Sequence, residues 1–299
     1  MSYVADREND MTTQARLPVQ PDLLASAMHL PTIKNDIDII SMPFYSIEKS
    51  TRTKPIVFNY KYSGGTHVQF IIKGTSDGIA TIYDKDIILY LHSVLVDRMN
   101  RNEPVSPLVE FTAHDFLKWA NRGTGKTDYL RLEAALKRLH GTVISGNFTA
   151  RDESMESGVH YIESFEFKRV NTKRGRVLSS IVVQLSTWTF AKLTEAGRYI
   201  SMDKRYLEIQ GGIERRLYEI ATKHVGREKH RFEINLQSLH EWIGSQAPVR
   251  KLKANIKRII EDDSLPGYKL RIDSPSARAA AVRTKIIFLR DNPRLVAAR

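Results

Sequence analysis

Hydrophobic positions follow the same order twice along this chain. Between residues 111 and 144, a short strand-like run leads into a tryptophan-bearing helical pattern, a loop, and a basic segment that again has helical spacing. The same order returns, with less similarity, between residues 232 and 272. DFLKWA at 115–120 matches SLHEWI at 238–243, and YLRLEAALKRL at 129–139 matches VRKLKANIKRI at 249–259. This repeat predicts two helix-turn-helix units, and hence two DNA-reading heads at a fixed spacing.

The apolar spacing in the two basic segments predicts which side of each helix is buried. At about 100° per residue, one face holds Tyr129, Leu132, Leu136 and Leu139, and its counterpart holds Val249, Leu252, Ile256, Ile259 and Ile260. The opposite side is predicted to present Arg131, Ala134 and Arg138, and in the second copy Lys251, Ala254 and Arg258. A small alanine between two cations would let the helix enter a major groove. The alternative is an ordinary solvated basic face, and two matching copies count against it.

Periodicity also predicts the elements around the repeat. Apolar alternation at 56–62 and 67–72, across Ser63, Gly64 and Gly65, indicates a β-hairpin. Residues 84–100 are predicted as an amphipathic helix with Asp84 as N-cap, and Thr112 stands at capping-box spacing before Asp115. Other strands are predicted at 78–83, 142–149, 160–170, 177–185, 232–234, 268–272 and 285–289, and other helices at 186–196, capped by Ser186, and at 212–225.

Together these elements predict an α+β fold with two winged-helix domains in tandem, at residues 37–197 and 198–299, each a helix-turn-helix followed by a β-wing. Residues 1–36 are polar and contain Pro18, Pro21 and Pro31 without a sustained period. They are predicted to form a mobile N-terminal arm.

The predicted turns after the first basic helix differ in charge. The turn at 151–158 carries Asp152, Glu153 and Glu156, which phosphates would repel. The turn at 171–176 carries Lys173, Arg174 and Arg176, which favours a phosphate contact, although these cations could instead only keep an exposed hairpin in solution. The loop of the second wing carries Arg278 and Arg283.

Overall charge agrees with a polyanionic partner. The 46 Lys and Arg residues outnumber the 34 Asp and Glu residues, which gives a net charge of +12. Cysteine is absent, which excludes disulfides, cysteine-ligated metals and cysteine nucleophiles. No run approaches the roughly 20 apolar residues that cross a bilayer, and acidic residues near the N-terminus exclude a signal peptide. We therefore expect a soluble, cytoplasmic protein.

Two enzymatic interpretations fit the residues poorly. GTGKT at 123–127 is half of a phosphate-binding loop, but Ala120 stands where the full motif requires glycine. Gly123 and Gly125 are instead predicted to turn the chain into the basic helix. A rolling-circle nicking enzyme would hold a metal with two closely spaced histidines, and the nine histidines include no His-x-His pair. We predict no catalytic residue, metal or cofactor.

The residues that we predict to contact DNA are Arg122, Lys126, Thr127, Arg131, Ala134, Lys137 and Arg138 in the first head, Lys173, Arg174 and Arg176 in its wing, Arg250, Lys251, Ala254, Lys257 and Arg258 in the second head, and Arg278 and Arg283 in its wing loop. Trp119 and Trp242 occupy equivalent places on the first helix of each pair. They are predicted to be core residues rather than base-stacking platforms.

Four blocks resemble a known family, the plasmid replication initiator protein A family, which is related to iteron-binding Rep initiators with tandem winged helices. They are GIATIYDKDIILYL (78–91), FTAHDFLKWANRGTGKTDYLRLEAALKRLHGTVIS (111–145), YLEIQGGIERRLYEIATKHVG (206–226) and LPGYKL (265–270). In order, they place roughly residues 37–290 within the resemblance.

This resemblance implies an initiator that binds repeated duplex sites at a bacterial plasmid origin and helps to open adjacent AT-rich DNA. It also implies recruitment of the host initiator and the replicative helicase, and a homodimer that represses its own promoter. A dedicated winged-helix transcriptional repressor is the main alternative. The residues by themselves indicate only a double-headed DNA-binding protein.

Overall fold

The computed structural model describes residues 26–30, 32–37, 39–61, 67–150, 153–172, 175–194, 199–226, 228–276 and 280–291. The helices in these ranges are α1 (Lys85–Asn100), α2 (Ala113–Trp119), α3 (Lys126–Gly141), α4 (Thr187–Thr194), α5 (Gly212–His224), α6 (Leu236–Ile243) and α7 (Val249–Glu261). The strands are β1 (Thr32–Asp36), β2 (Ile56–Lys61), β3 (His67–Lys73), β4 (Leu108–Thr112), β5 (Val143–Ala150), β6 (Glu153–His160), β7 (Ile162–Thr172), β8 (Gly175–Leu185), β9 (Tyr199–Asp203), β10 (Arg231–Asn235), β11 (Tyr268–Asp273) and β12 (Lys285–Arg290). Short 3-10 helices cover Ile39–Ser41, Lys204–Glu208 and Ala281–Arg283. The protein is therefore a mixed α+β fold with several small antiparallel sheets.

The predicted repeat of elements is present. The first copy runs α1, β4, α2, α3, β7, β8, and the second runs α5, β10, α6, α7, β11, β12. Each copy has a three-stranded antiparallel sheet in which the last strand is central, with orders β4-β8-β7 and β10-β12-β11. Equivalent phenylalanines lie opposite the central strand of each sheet. Phe111 pairs with Ile181 of β8, and Phe232 pairs with Phe288 of β12. Each pair of adjacent helices thus packs on a sheet of the same topology.

The first copy contains an inserted hairpin, of which the hydrophobic pattern predicted the first strand, at 142–149, but not the second. Strands β5 and β6 lie between α3 and β7 and extend the predicted β2–β3 hairpin into a sheet of order β2-β3-β5-β6. The prediction of a turn at 151–158 is wrong, because Glu153–His160 is strand β6, paired with β5 along its whole length. The segment is polar, so its backbone pairing with β5 makes it a strand without an apolar period.

The predicted strand at 78–83 is also wrong. Residues Ile79, Ala80 and Ile82 are buried, but this segment makes only isolated bridges, between Thr81 and Ser46 and between Gly78 and Thr75. The Thr81 amide donates to the Asp84 carboxylate at 2.8 Å and turns the chain into α1. A short apolar run predicts burial here and does not distinguish a strand from an irregular core segment.

Strand β1 lies within the stretch predicted as a mobile arm. It pairs antiparallel with β9, with Ile33 opposite Met202 and Asp36 opposite Tyr199. Ile33, Asn35 and Asp36 are buried. Because its partner is far along the chain, no local pattern could have indicated this strand. Residues 1–25 and 31 of the predicted arm lie outside the described residues.

Helix α1 forms the centre of the first copy. The prediction gave it one apolar stripe, but every residue from Lys85 to Val96 is buried. Strand β1 covers one side, where the Lys34 amide donates to Ser93 Oγ at 2.9 Å. The first turn of α1 also buries two charged residues, Lys85 and Asp86, and these need partners from elsewhere in the fold.

Helix α5 of the second copy supplies those partners. Asp86 accepts hydrogen bonds from Arg215 at 2.6 Å and from Arg122 at 2.6 Å. Lys85 Nζ donates to Glu219 Oε1 at 2.7 Å, and Arg216 donates to Glu219 Oε2 at 3.0 Å. Except for Arg122, which is 24% exposed, these side chains are at most 4% exposed. We call these six residues the α1–α5 ion network; it joins the two copies.

Burial and charge pairing compete within the network. For Lys85, burial outweighs the Glu219 charge and lowers the pKa of the ammonium from its usual 10.5. Burial alone would raise the pKa of the Glu219 carboxyl, but Lys85 and Arg216 outweigh burial and hold that pKa below its usual value of 4.5. The Tyr206 hydroxyl donates to the same carboxylate at 2.8 Å. Arg216 also donates to the Ile40 carbonyl at 2.6 Å, so residues before β2 are tied to the same point.

Replacing Glu219 by Gln should destabilise the protein by about 3–5 kcal/mol, because Lys85 and Arg216 would remain buried and charged without their counter-ion. Urea unfolding at neutral pH measures this change. The folded-state pKa of Glu219 is lowered, so its stabilising contribution is present above pH 4.5 and is lost as pH falls through the folded value. The Gln variant should therefore lose less stability than the wild type on acidification.

Glu48→Gln is the matched control, because Glu48 is 45% exposed and its ion-pair partner among the described residues is the surface residue Arg52. Its effect should stay below about 1 kcal/mol. Equal effects of the two substitutions would show that the α1–α5 ion network does not hold the copies together.

Candidate nucleic-acid interface

The first helix of each pair begins with the same kind of cap. Thr112 Oγ1 accepts from the Asp115 amide at 3.0 Å, as its spacing predicted, and Asn235 Oδ1 accepts from the Ser238 amide at 2.8 Å. Trp119 is buried against Tyr90, and Trp242 stacks on His224 and Phe232. Both tryptophans are thus packing residues that hold the first helix against the sheet.

The GTGKT loop turns into α3 as predicted, and a carboxylate occupies its concave side. The Gly125 amide donates to Asp128 Oδ2 at 3.2 Å. A Cβ atom at Gly123 would lie 2.4 Å from the same oxygen, so the Asp128 carboxylate would have to shift for any larger residue there. Because the anion position is already filled, Lys126 and Thr127 can meet a phosphate only through their exposed side chains.

The predicted outward face of α3 is present only in part. Leu132, Leu136 and Leu139 are fully buried and define the core direction. At about 100° per residue, the side opposite them holds Leu130 and Ala134, with Lys137 beside them. Leu130 and Lys137 are exposed, as is Lys126 one turn before Leu130, and Ala134 is half-buried. Arg131 lies at the edge of the face, 73% exposed, with Asp128 at 3.5 Å.

Arg138 and Arg122 are corrected by the structure. The predicted outward orientation of Arg138 is wrong, because its guanidinium makes a bidentate pair with Asp84, at 2.8 and 2.7 Å. This hydrogen bond and the Asp84 charge outweigh burial and raise the pKa of Arg138. Asp84 is the N-cap residue of α1, as predicted, but makes no side-chain cap bond. Arg122 likewise turns inward to Asp86 and to the Tyr83 carbonyl, at 2.6 Å each. Both arginines hold the fold together.

Helix α7 presents the predicted cations. Arg250, Lys251, Ala254, Lys257 and Arg258 are all exposed. Arg258 is 62% exposed and donates to Glu214 in the first turn of α5 at 3.1 Å. This contact matches the ion pair between Arg138 and Asp84 at the start of α1. In both copies, therefore, the equivalent arginine joins the second helix of the pair to the start of the leading helix, α1 or α5. The difference is burial, which leaves Arg258 able to reach solvent.

The predicted wing contacts are placed only in part. Arg176 at the start of β8 and Arg283 before β12 are exposed. Lys173, Arg174 and Arg278 lie outside the described residues. Two other wing cations point back at the fold, since Lys168 pairs with Glu110 at 2.6 Å and Arg169 pairs with Glu133 of α3 at 2.7 Å. These pairs attach the β7–β8 hairpin to its sheet and to the second helix.

Within the described ranges, no group of three or more His, Asp or Glu side chains could hold a metal ion. No helix in that part of the chain is both long and apolar enough to span a membrane. The candidate interface is the pair of cationic second helices, in a frame joined by buried charges.

The chain matches the model of the replication initiator protein A family over residues 34–270, and it belongs to that family. It is 32% identical over 251 residues to a "Putative replication protein" of Wigglesworthia glossinidia brevipalpis, covering 83% of this chain and 88% of that one.

Solved structures show the same overall fold. A crystal structure of domains 2 and 3 of RctB superposes with a TM-score of 0.63 at 14% identity, covering 84% of this chain and 96% of that one. A second crystal structure of these RctB domains gives 0.56 at 13% identity, covering 85% and 98%. The likeness concerns the fold alone at these identities.

The two outer arginines predicted on α3 should behave differently. Arg138→Ala should lower the free energy of unfolding by about 2–3 kcal/mol, because buried Asp84 loses its bidentate partner. Arg131→Ala should change it by less than about 0.5 kcal/mol, since that side chain is in solvent. Urea unfolding of both variants measures the difference. Equal stability of the two would contradict the inward position of Arg138.

Proposed function

We propose that this chain initiates plasmid replication by binding repeated duplex sites at an origin, with each copy of the repeat acting as a winged-helix head. Helices α3 and α7 enter successive major grooves, and the β7–β8 and β11–β12 hairpins act as wings on the backbone. The observation that carries the proposal is the equivalent placement of two exposed cationic helices in one frame. Membership of the family supports the role at an origin.

The composition of the two faces supports unequal roles. The α7 face carries Arg250, Lys251, Lys257 and Arg258 and is the more basic. The α3 face has Lys126, Arg131 and Lys137, while Arg138 is engaged with Asp84. Counterion release by each cation strengthens binding. The second head therefore contributes more of the affinity.

The α1–α5 ion network supports a fixed spacing between heads. Separating α1 from α5 would break the Lys85–Glu219 and Asp86–Arg215 pairs, at a cost of several kcal/mol. A fixed spacing suits a target with two major-groove contacts about one turn apart. Bound at such repeats, the protein would help to open adjacent AT-rich DNA and recruit the host initiator and the replicative helicase.

Wild-type protein should bind direct repeats from its own replicon much more tightly than a shuffled duplex. Fluorescence anisotropy across a salt series measures both affinities. Preference for a promoter palindrome over the direct repeats would favour a dedicated repressor. Equal, salt-sensitive affinity for repeat and shuffled DNA would contradict sequence-specific binding and leave a general polyanion surface.

Variants of the two heads should shorten the footprint at opposite ends. Arg250→Ala with Lys257→Ala removes cations from α7, and Lys126→Ala with Lys137→Ala removes them from α3. Each pair should lower the salt slope by about two if both cations meet phosphates. Hydroxyl-radical footprinting locates the loss. Lys54→Ala, an exposed cation before β2, is the control and should leave footprint and slope unchanged. Loss at the same end for both pairs would overturn the two-head arrangement.

A further inference from the structure

An apolar residue stands at the centre of the cationic face of α3. Helices α3 and α7 lie wholly within the described residues, and Leu130 is the one large apolar side chain on them that is exposed, at 55%. It is the fifth residue of α3 and lies opposite the buried Leu132, Leu136 and Leu139. In a helix-turn-helix head, the N-terminal part of the second helix is the part that meets base edges.

The surroundings of Leu130 fit DNA better than a protein partner. Lys126 and Ala134 lie one turn before and one turn after it, and Arg131 and Lys137 flank the same face. A protein-docking surface would need a contiguous apolar patch, and these neighbours are cations or a small alanine. These cations would attract the helix to DNA phosphates, and Leu130 would then point at the floor of the major groove.

The second head carries a different residue at this position. Aligning YLRLEAALKRL with VRKLKANIKRI places Arg250 opposite Leu130. Arginine donates to guanine or to phosphate, whereas leucine can do neither. The thymine C5-methyl group is the apolar feature that the major groove presents to a protein. The two heads thus differ in chemistry at the most outward point of the second helix.

We propose that Leu130 determines specificity in the first head by packing on the C5-methyl group of a thymine. This inference rests on the proposed function, because it requires α3 to lie in a major groove. It follows that the two halves of each repeat are not equivalent, with thymine favoured opposite α3 and a hydrogen-bonding contact opposite Arg250.

A thymine-to-uracil scan of the repeat tests the proposal, because each substitution removes one methyl group and leaves base pairing intact. For the wild type, uracil at one thymine in the α3 half should weaken binding about fourfold, which corresponds to about 0.8 kcal/mol for one buried methyl group. Leu130→Ala should bind the thymine-containing site with a similar loss. It should show no further loss with uracil at that position.

Leu130→Met is the matched variant, because it keeps an apolar side chain of similar volume. It should retain sensitivity to the same uracil. Alanine is the best helix former, so Leu130→Ala at this exposed position should preserve the fold, which circular dichroism verifies. If wild type distinguishes repeats from shuffled DNA but Leu130→Ala keeps the full uracil sensitivity, the Leu130 contact is refuted and the proposed function stands. If wild type does not distinguish them, the proposed function itself fails.

Discussion

Two buried ion pairs, Lys85 with Glu219 and Asp86 with Arg215, determine how the halves of this protein are joined. Charges this deeply buried are tolerated only while each keeps its partner, since an unpaired buried ion costs several kcal/mol. The pairs lie between the first turn of α1 and the middle of α5, the leading helices of the two copies. Any rotation of one copy against the other would break both pairs, so the copies behave as one frame.

Helices α3 and α7 are held in position by further ion pairs to this frame. Arg122, in the loop before α3, shares Asp86 with Arg215, and Arg138 near the end of α3 binds Asp84 just before α1. Helix α7 has a weaker version of the same tie, from Arg258 to Glu214. Arg138 and Arg258, which occupy equivalent places, both attach a second helix to a leading helix, but Arg138 is largely buried and Arg258 is exposed. Burial decides how much of each guanidinium remains for a ligand.

The two copies are unequal outside the shared elements. The first has an added sheet of β2, β3, β5 and β6, and β1 pairs with β9 across the junction between copies. Strand β1 also covers α1, which is why that helix is buried on all sides. The second copy has no such additions among its described residues and carries the more basic outer helix. This asymmetry agrees with one copy that organises the molecule and another that contributes more binding charge.

Local sequence patterns predict the repeat, the helices of both copies, the β2–β3 hairpin, the caps at Thr112 and Ser186, and the basic character of the second helices. These features arise from local periodicity and from side chains that bond to their own backbone neighbours. The tertiary structure adds that β1 and β6 are strands, that residues 78–83 are not, and that Arg122 and Arg138 turn inward. Strand β1 and the two arginines depend on partners distant in the chain, and such contacts leave no local pattern. Strand β6 pairs with its neighbour β5, but its polar residues give no apolar alternation. Residue type alone does not distinguish Leu130 from a core leucine. The buried face of α3 shows that it points outward.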